Sequence, residues 1–214
     1  MNHIIPVENK IILTALKKAD MEKGYRHEAL FSYDLKSKKL TSWWEENDHD
    51  TFVRTLTFNP YTKKLYASLY SVNEEHQNSH KAEQEQAPDV VPAVHRIVEY
   101  DINGRLLKEI YRAKEHIAYF AVSKDGKLAL LSSAPMVFHE RELFFVNLET
   151  GKKEPLKTGK LYPLQFIFAP NQKGIYFTAG SITSLYYHDF ETKKAEEIFA
   201  QPNGYINNFS ILLK

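Results

Sequence analysis

The stretch Phe120–Ser133, FAVSKDGKLALLSS, decides the fold. An alternating apolar run stops at a polar Asp-Gly turn, and a second apolar run follows at once. Alternation with a period of two predicts strands with one buried face, and Asp-Gly between two such strands predicts a tight hairpin. The same shape recurs from Leu56, LTFNPYTKKLYASLY, and from Phe166, FIFAPNQKGIYFTAG. The same hairpin pattern therefore occurs several times along the chain.

The hairpin is one half of a longer repeat. Its second strand opens at Ile11, Leu65, Leu128 and Ile175, and the repeat length is about 45 residues once a polar insertion at 72–93 is left out. After each hairpin, a third apolar run ends in Asp or Asn and a charged fourth run follows: ALFSYDLKSKKL, RIVEYDINGRLLKEI, ELFFVNLETGKKEPL and SLYYHDFETKKAEEI. This pattern predicts an all-β fold of four antiparallel, four-stranded units.

The third unit carries the residues that resemble a known class of repeat. Ser123–Lys127, SKDGK, is followed by Leu143–Lys152, LFFVNLETGK, and together they resemble the blades of β-propellers of the TolB-like, YVTN-like and WD-repeat-like type. The corresponding turns at Asn59–Lys63 and Ala169–Lys173 lack the Asp-Gly pair, and the Gly-His…Trp-Asp signature of true WD repeats is absent. The resemblance implies a β-propeller, which is a fold that serves many unrelated functions.

The repeats divide the chain into blade units. We expect a single propeller domain over residues 1–214, with a mobile loop at 72–93 because that segment is rich in Glu and Gln and contains Pro. The stretch 205–213 is expected to pair into the first blade and close the ring; the alternative is a fragment of a longer propeller. The unit bounds are about 1–50, 51–114, 115–159 and 160–204.

Bulk composition narrows the classes of function. Of the 214 residues, 43% are hydrophobic and 26% are charged, as in an ordinary soluble domain. A net charge of +1 gives no reason to expect nucleic acid, and no apolar run is long enough to span a membrane. The absence of cysteine excludes disulfides, thiolate metal sites and a Cys nucleophile. We expect a cytoplasmic protein, or an extracytoplasmic one if a signal peptide has been removed.

The resemblance also implies where a site would lie. In propellers, the segments that lead into the innermost strands converge on the central channel, and known sites usually lie there. His3 joins this face if the ring closes. The polar candidates for binding on the channel face are His49, Asp50, Arg54, Glu115, His116, Tyr119, Tyr162, Gln165, Asn207 and Asn208.

Two kinds of chemistry are open to these candidates. His49 and His116, joined by His3 if the ring closes and by Asp50 or Glu115, could ligate Zn or Mn. No local ligand spacing supports this, so no cofactor is predicted and a divalent metal is the alternative. Asp50 or Glu115 could instead act in acid–base hydrolysis or lactone chemistry. Adjacent residues on a strand point to opposite faces, which weakens His49–Asp50 and Glu115–His116 as catalytic pairs. Motifs for a Ser nucleophile or a phosphate loop are absent.

Other residues suit an interaction surface or the packing of blades. Trp43 and Trp44 close the first unit, where one indole could face outward as an anchor for a partner; the alternative is that both pack in the core. His95, His139 and His188 begin or follow third-strand runs and are expected at the surface or between blades.

The sequence thus favours a non-catalytic propeller scaffold or binding module, a monomer or a homodimer, that holds a protein, a peptide or a small ligand on its channel face. The alternative is a propeller enzyme, a hydrolase, lactonase or lyase. Its site would lie around His49, His116 and Gln165 and could be assisted by a metal.

Overall fold

In a computed structural model of the chain, each repeat forms one antiparallel sheet of four strands in sequence order. The structure describes residues 3–16, 28–45, 48–179, 182–201, 203–206 and 209. The prediction of an all-β fold built from four four-stranded units is confirmed. The strands of the first two sheets are β1 Ile4–Val7, β2 Lys10–Leu16, β3 Glu28–Asp34, β4 Leu40–Ser42, β5 Thr51–Asn59, β6 Lys64–Ser71, β7 His95–Asp101 and β8 Leu106–Ala113. Those of the third and fourth are β9 His116–Val122, β10 Leu128–Ala134, β11 Glu142–Asn147, β12 Lys153–Leu156, β13 Pro163–Phe168, β14 Gly174–Ala179, β15 Ser184–Asp189 and β16 Ala195–Ala200.

The chain divides into two compact units, Met1–Ala118 with Ala134–Glu140, and Tyr119–Ser133 with Arg141–Lys214. Each unit has its own apolar core. In the first, Ile12 and Leu30 of the first sheet are buried in one cluster with Leu65 of the second. In the second, Leu130 of the third sheet is buried with Phe166 and other residues of the fourth. The assignment of the whole chain to a single domain stays a prediction.

The Asp or Asn that ends each third strand builds the turn into the fourth strand. The Asp34 Oδ1 atom accepts hydrogen bonds from the backbone N–H groups of Lys36 and Ser37, at 3.0 and 2.7 Å. Asp101, Asn147 and Asp189 accept two backbone N–H groups in the same way. A short side chain that mimics a backbone turn is the reason why these residue types recur there.

The turns also explain why the Asp-Gly pair is dispensable. In each sheet, the turn between the first two strands and the turn between the last two strands each place one residue in the left-handed region, with φ between 53° and 88°. Glycine adopts this conformation at no steric cost, whereas other residues adopt it at a modest cost. Glycine fills three of the eight positions, and longer polar side chains fill the other five: Glu8, Lys38, Lys63, Gly104, Gly126, Gly151, Gln172 and Lys193.

The prediction of an irregular loop at 72–93 is wrong, because its first part is a helix, α1, Val72–Gln84. Ser71 caps the helix by accepting the Glu74 N–H at 2.9 Å, and the Asp50 carboxylate accepts the Asn73 N–H at 2.7 Å. These side chains satisfy N–H groups that the first turn of a helix leaves without partners. The polar composition that suggested a loop belongs to a surface helix. No helix of the described residues is long and apolar enough to cross a membrane.

The segment after α1 is also held in place. Glu75 and Glu74 accept the backbone N–H groups of Ala93 and Val94 at 2.8 and 3.1 Å. The buried Asp89 carboxylate accepts the N–H of Phe138 at 2.9 Å and lies 2.5 Å from His139 Nδ1. The insertion therefore folds back on itself and is hydrogen-bonded, through Asp89, to the loop at 134–140.

At the N-terminus, β1 occupies the inner position of the first sheet and pairs with β2 from Ile4–Leu13 to Val7–Lys10. The stretch 205–213, predicted to close the ring, lies mostly outside the described residues. Within the second unit, the N–H of Ile206 donates to the carbonyl of Ile182 at 2.7 Å. The closure of the ring stays a prediction.

Candidate functional site

Polar side chains gather at one end of the first two sheets, where first and third strands begin and second strands end, and His116 joins them from the start of β9 in the third sheet. We call this group the polar cluster; all of its members belong to the first compact unit, and hydrogen bonds, ring contacts and the charge of Arg54 connect them. Its members are His3, Thr14, Glu28, Arg54, Tyr70, His95 and His116.

Arg54 is the extra residue of a β-bulge in β5. Val53 pairs with Leu69 and Thr55 pairs with Ser68, so Arg54 has no partner across the ladder to β6. Such a bulge changes the direction of a side chain, and bulges are over-represented next to active sites. The arginine is half-buried. Among the residues that the structure describes, no carboxylate forms an ion pair with its guanidinium.

An aromatic row crosses the second sheet next to this bulge. Phe52 and Tyr70 are directly opposite each other on β5 and β6, with ring centroids 5.2 Å apart. Tyr70 stacks on His95 of β7 at 4.8 Å with an interplanar angle of 8°. The ring of His116 meets that of His95 edge-on at 5.5 Å. The rings of Tyr70 and His95 therefore cover each other's faces.

His95 is fully buried and uncharged. Its Nδ1 atom accepts the backbone N–H of Ile117 at 3.3 Å, so the proton of the neutral ring is on Nε2. Burial, and then the neighbouring His116 and Arg54, lower the pKa of His95 to about 3. Within the described part of the chain, the buried Nε2 atom has no hydrogen-bond partner.

The first sheet contributes the hydrogen-bonded pair Thr14 and Glu28, together with His3, whose backbone N–H donates to Thr14. The Thr14 hydroxyl donates to the buried Glu28 carboxylate at 2.5 Å and accepts the backbone N–H of His3 at 3.0 Å. Burial lowers the pKa of the His3 imidazole, against a hydrogen bond to the backbone of Arg54 and the charge of Glu28, which raise it. His3 therefore connects the Thr14–Glu28 pair with the bulge at Arg54.

Of the predicted candidates, His3, Arg54 and His116 belong to the polar cluster. Asp50 lies at the start of α1, where its carboxylate accepts the Asn73 N–H. Glu115 accepts a hydrogen bond from the Tyr111 hydroxyl. Both carboxylates therefore have structural partners. His49 is half-buried in the short segment that precedes β5.

The remaining candidates lie in the second compact unit or outside the described residues. Tyr119 meets Phe166 edge-on at 5.0 Å, and the Tyr162 hydroxyl lies 2.5 Å from the Ser132 hydroxyl. Gln165 follows a second bulge, in β13, between Pro163 and Gln165. Asn207 and Asn208 are not among the described residues.

Trp43 and Trp44 both pack against the core cluster of the first two sheets. The Trp43 ring lies 5.5 Å from that of Tyr100, and Trp44 Nε1 donates to the Tyr100 hydroxyl at 3.4 Å. Both indoles are half-buried. This arrangement corresponds to the alternative in which both residues pack, and their role as an interaction surface stays a prediction.

Sequence reasoning missed four members of the polar cluster, Thr14, Glu28, Tyr70 and His95. Of the two positions expected for His95, the surface is excluded because the residue is fully buried, whereas its contacts with His116 and Ile117 of the third sheet agree with a position between neighbouring sheets. One signal could have indicated this: His95 alternates with the buried Ile97 and therefore shares its face of β7. Glu28 opens β3 as His95 opens β7, and both are buried.

His49 and His116 were the candidate metal ligands. No group of three or more His, Asp or Glu residues that could hold a metal ion occurs among the described residues. A divalent metal stays an untested alternative.

Comparison with known proteins identifies one similar sequence and several structures of similar fold. No protein-family model matches the chain. An uncharacterized protein of Bacillus subtilis (strain 168), YdjN, is 26% identical over 190 residues, which are 78% of this chain and 53% of the relative. The chain therefore spans about half the length of that relative.

Solved structures resemble the chain in fold at low sequence identity. They are TolB from Acinetobacter baumannii (TM-score 0.53, 16% identity, 87% of this chain and 39% of that one), an oligogalacturonate lyase in complex with manganese (0.57, 12%, 83% and 44%) and a nidogen/laminin complex (0.53, 11%, 90% and 59%). These matches confirm the resemblance to β-propellers of the TolB-like type. The named proteins include a lyase, so the shared fold does not separate binding from catalysis.

Proposed function

We propose that the chain is a non-catalytic binding module that holds a small ligand or a peptide side chain at the polar cluster. The observation that carries the proposal is the half-buried Arg54 on its bulge, a cation without an ion-pair partner among the described residues. An aromatic row crosses the same sheet next to the bulge, the charge of Arg54 acts on Tyr70 and His95 of that row, and the His3 imidazole is hydrogen-bonded to the Arg54 backbone. Binding sites combine such fixed surfaces with a few convergent polar groups.

The hydrogen bonds of the candidate acids and bases favour binding over catalysis. A general base at neutral pH requires a pKa close to 7. The pKa of His95, at about 3, is too low for that role. Asp50 and Glu115, which could have acted as acids or bases, hold the start of α1 and the Tyr111 hydroxyl.

The proposal is tested by screening a library of charged and neutral fragments by two-dimensional NMR. Ligands are expected to shift the amide signals of Thr51–Thr55 and Ser68–Ser71 in a saturable way, and to be recovered chemically unchanged. The amides of β8, on the outer side of the same sheet, serve as the internal control. Fragments that bind only elsewhere, or that are converted, would contradict the proposal.

A second candidate function, a propeller enzyme, is favoured by one observation. The buried Glu28 carboxylate is held by Thr14, and its charge acts on His3, so an acid and a base lie close together. Elemental analysis checks the metal-assisted form of this function. A stoichiometric divalent metal that is lost in His116→Ala but retained in the exposed variant His76→Ala would favour the enzyme.

A further inference from the structure

We propose that Arg54 binds a carboxylate group of the ligand, so that the polar cluster recognises acidic small molecules or acidic side chains. This inference rests on the proposed binding function and names the chemistry of the ligand. Four features support it.

The first feature is that the bulge does not need a charged residue. The innermost strand of the fourth sheet, β13, has a bulge at the corresponding place, between Pro163 and Gln165, and its extra residue is Leu164. The same backbone irregularity is therefore compatible with an apolar side chain. An arginine in β5 adds a guanidinium where the fold itself requires none.

The second feature is the balance of charge around Arg54. His95 is neutral at pH 7, since its pKa is about 3, and burial lowers the pKa of His3. The nearby carboxylates have other partners: Glu28 accepts the Thr14 hydroxyl, and Glu75 accepts the Ala93 N–H. Arg54 thus remains a cation whose guanidinium pairs with none of the described carboxylates.

The third feature is a neutral donor, the Tyr70 hydroxyl, that is close enough to Arg54 for the charge of the guanidinium to act on it. The pKa of the Tyr70 hydroxyl is raised, mainly by burial, and the tyrosine therefore stays protonated at neutral pH and can donate. Its ring is fixed between Phe52 and His95. A planar guanidinium with a fixed hydroxyl donor suits the two oxygens of a carboxylate.

The fourth feature is the number of positive charges. Phosphate carries up to two negative charges at pH 7 and is usually bound by several donors or cations. Arg54 is the one permanently charged cation among the members of the polar cluster, and its single charge matches the single charge of a carboxylate. Carboxylate is therefore the oxyanion to which the proposal commits.

The test compares benzoate with benzamide, which have almost the same shape and differ in charge. Each is titrated into the full chain at low ionic strength, and the amide shifts of Thr51–Thr55 and Ser68–Ser71 are followed by NMR. Benzoate is expected to bind at least about tenfold more tightly than benzamide, as for the loss of one charge-assisted hydrogen bond. Inorganic phosphate, titrated separately, is expected to compete weakly with benzoate.

Three variants locate the effect. Arg54→Gln is expected to remove the preference for benzoate, and Arg54→Lys to retain part of it, since the charge remains but the planar fork is lost. Arg112→Gln is the matched control, because Arg112 lies on β8 of the same sheet in an exposed ion pair with Glu109. Thermal unfolding verifies that all three variants are folded.

The outcomes separate this inference from the proposed function. If neutral fragments or benzamide bind at the polar cluster as well as benzoate does, the binding function stands and the carboxylate inference is overturned. An unchanged preference in Arg54→Gln, no binding of benzoate, or tighter binding of phosphate overturns the inference as well. If the fragment library binds only outside the polar cluster, the proposed function fails first.

Discussion

At the scale of single residues, two positions show how the backbone and a neighbouring ring determine which amino acid fits. Gly104 has a φ of +88°, and an added Cβ atom would lie 2.7 Å from three ring atoms of Trp43. Gly151 has a similar φ of +72°, but no atom lies within 4 Å of its added Cβ. The first glycine is needed for space as well as for conformation, whereas the second is needed for conformation alone.

We predict that Gly104→Ala destabilises the protein more than Gly151→Ala does. Both variants force alanine into the left-handed region, at a cost of about 1–2 kcal/mol. Only Gly104→Ala also displaces the Trp43 ring, which adds about 1–3 kcal/mol. Chemical denaturation of both variants measures the difference. Equal losses in the free energy of unfolding would mean that the Trp43 ring moves aside without cost.

His95 predicts how stability depends on pH. Its pKa is about 3 in the folded protein and 6.5 in a model peptide. Between these values the unfolded chain binds one more proton, so the free energy of unfolding falls as the pH drops from about 6.5 towards 3. One such group contributes about 1.4 kcal/mol per pH unit within this range.

The variant His95→Phe is therefore expected to weaken this pH dependence by roughly 1–2 kcal/mol between pH 6.5 and 5. Urea denaturation at several pH values measures the slope of the free energy of unfolding against pH in the variant and in the wild type. The slopes are compared, and not the absolute stabilities, because the variant also loses the acceptor for the Ile117 N–H. His76→Gln, on the exposed face of α1, is the control. An equal slope in His95→Phe and the wild type would show that His95 is protonated while folded.

At the scale of elements, the insertion between β6 and β7 is an ordered appendage of the second sheet. Its helix is capped by Ser71 and Asp50, and its return segment is bound through Glu74 and Glu75. Asp89, on that segment, then holds the loop at 134–140. One buried carboxylate thereby connects two segments that are far apart in sequence.

We predict that Asp89→Ala releases the loop at 134–140. The change removes the acceptor of the Phe138 and Val90 N–H groups, and one hydrogen bond to a charged group contributes about 1.5–3 kcal/mol. Hydrogen exchange at these two amides is expected to accelerate about tenfold or more. Asp89→Asn should fall in between, because its amide oxygen still accepts, and Glu140→Gln, in the same loop but exposed, should change nothing. Unchanged exchange in Asp89→Ala would show that other contacts hold the loop.

At the scale of the whole molecule, a weak net charge and two exposed apolar side chains on the outer strand β16 favour self-association. The net charge is +1 at pH 7, so repulsion between copies is small. The outer strand β16 exposes Ile198 and Phe199, at 45% and 54%. Exposed outer strands with apolar side chains are sites of intermolecular pairing.

Light scattering is therefore expected to show a mass that rises with protein concentration, and Phe199→Lys is expected to reduce the rise. The added lysine places a charge on the outer strand, which opposes pairing. Tyr61→Lys is the matched control, because it adds the same charge at an exposed aromatic residue in a turn of the second sheet. If both variants reduce the rise equally, net charge and not the β16 edge controls the association.

The sequence by itself determined the number of sheets, the order of their strands and the turns between them. These features depend on local patterns: alternation within strands, and Asp, Asn or Gly at turns such as those near Asp101 and Gly126. The same patterns could not show that 72–84 is helical. Its helix is polar and depends on caps from Ser71 and from Asp50, a residue that lies on another segment.

Only the tertiary structure decided which polar residues form the candidate site. The sequence indicated Arg54 as a candidate because it lies near the start of a predicted first strand. Its bulge and its neighbours His3 and His95 depend on the pairing of strands from different parts of the chain. Asp50 and Glu115 looked equally suitable in the sequence, and the structure uses both for other hydrogen bonds. The physical reason is that local periodicity fixes which face a side chain takes, whereas its partners and its charge state depend on residues that only folding brings within a few ångströms.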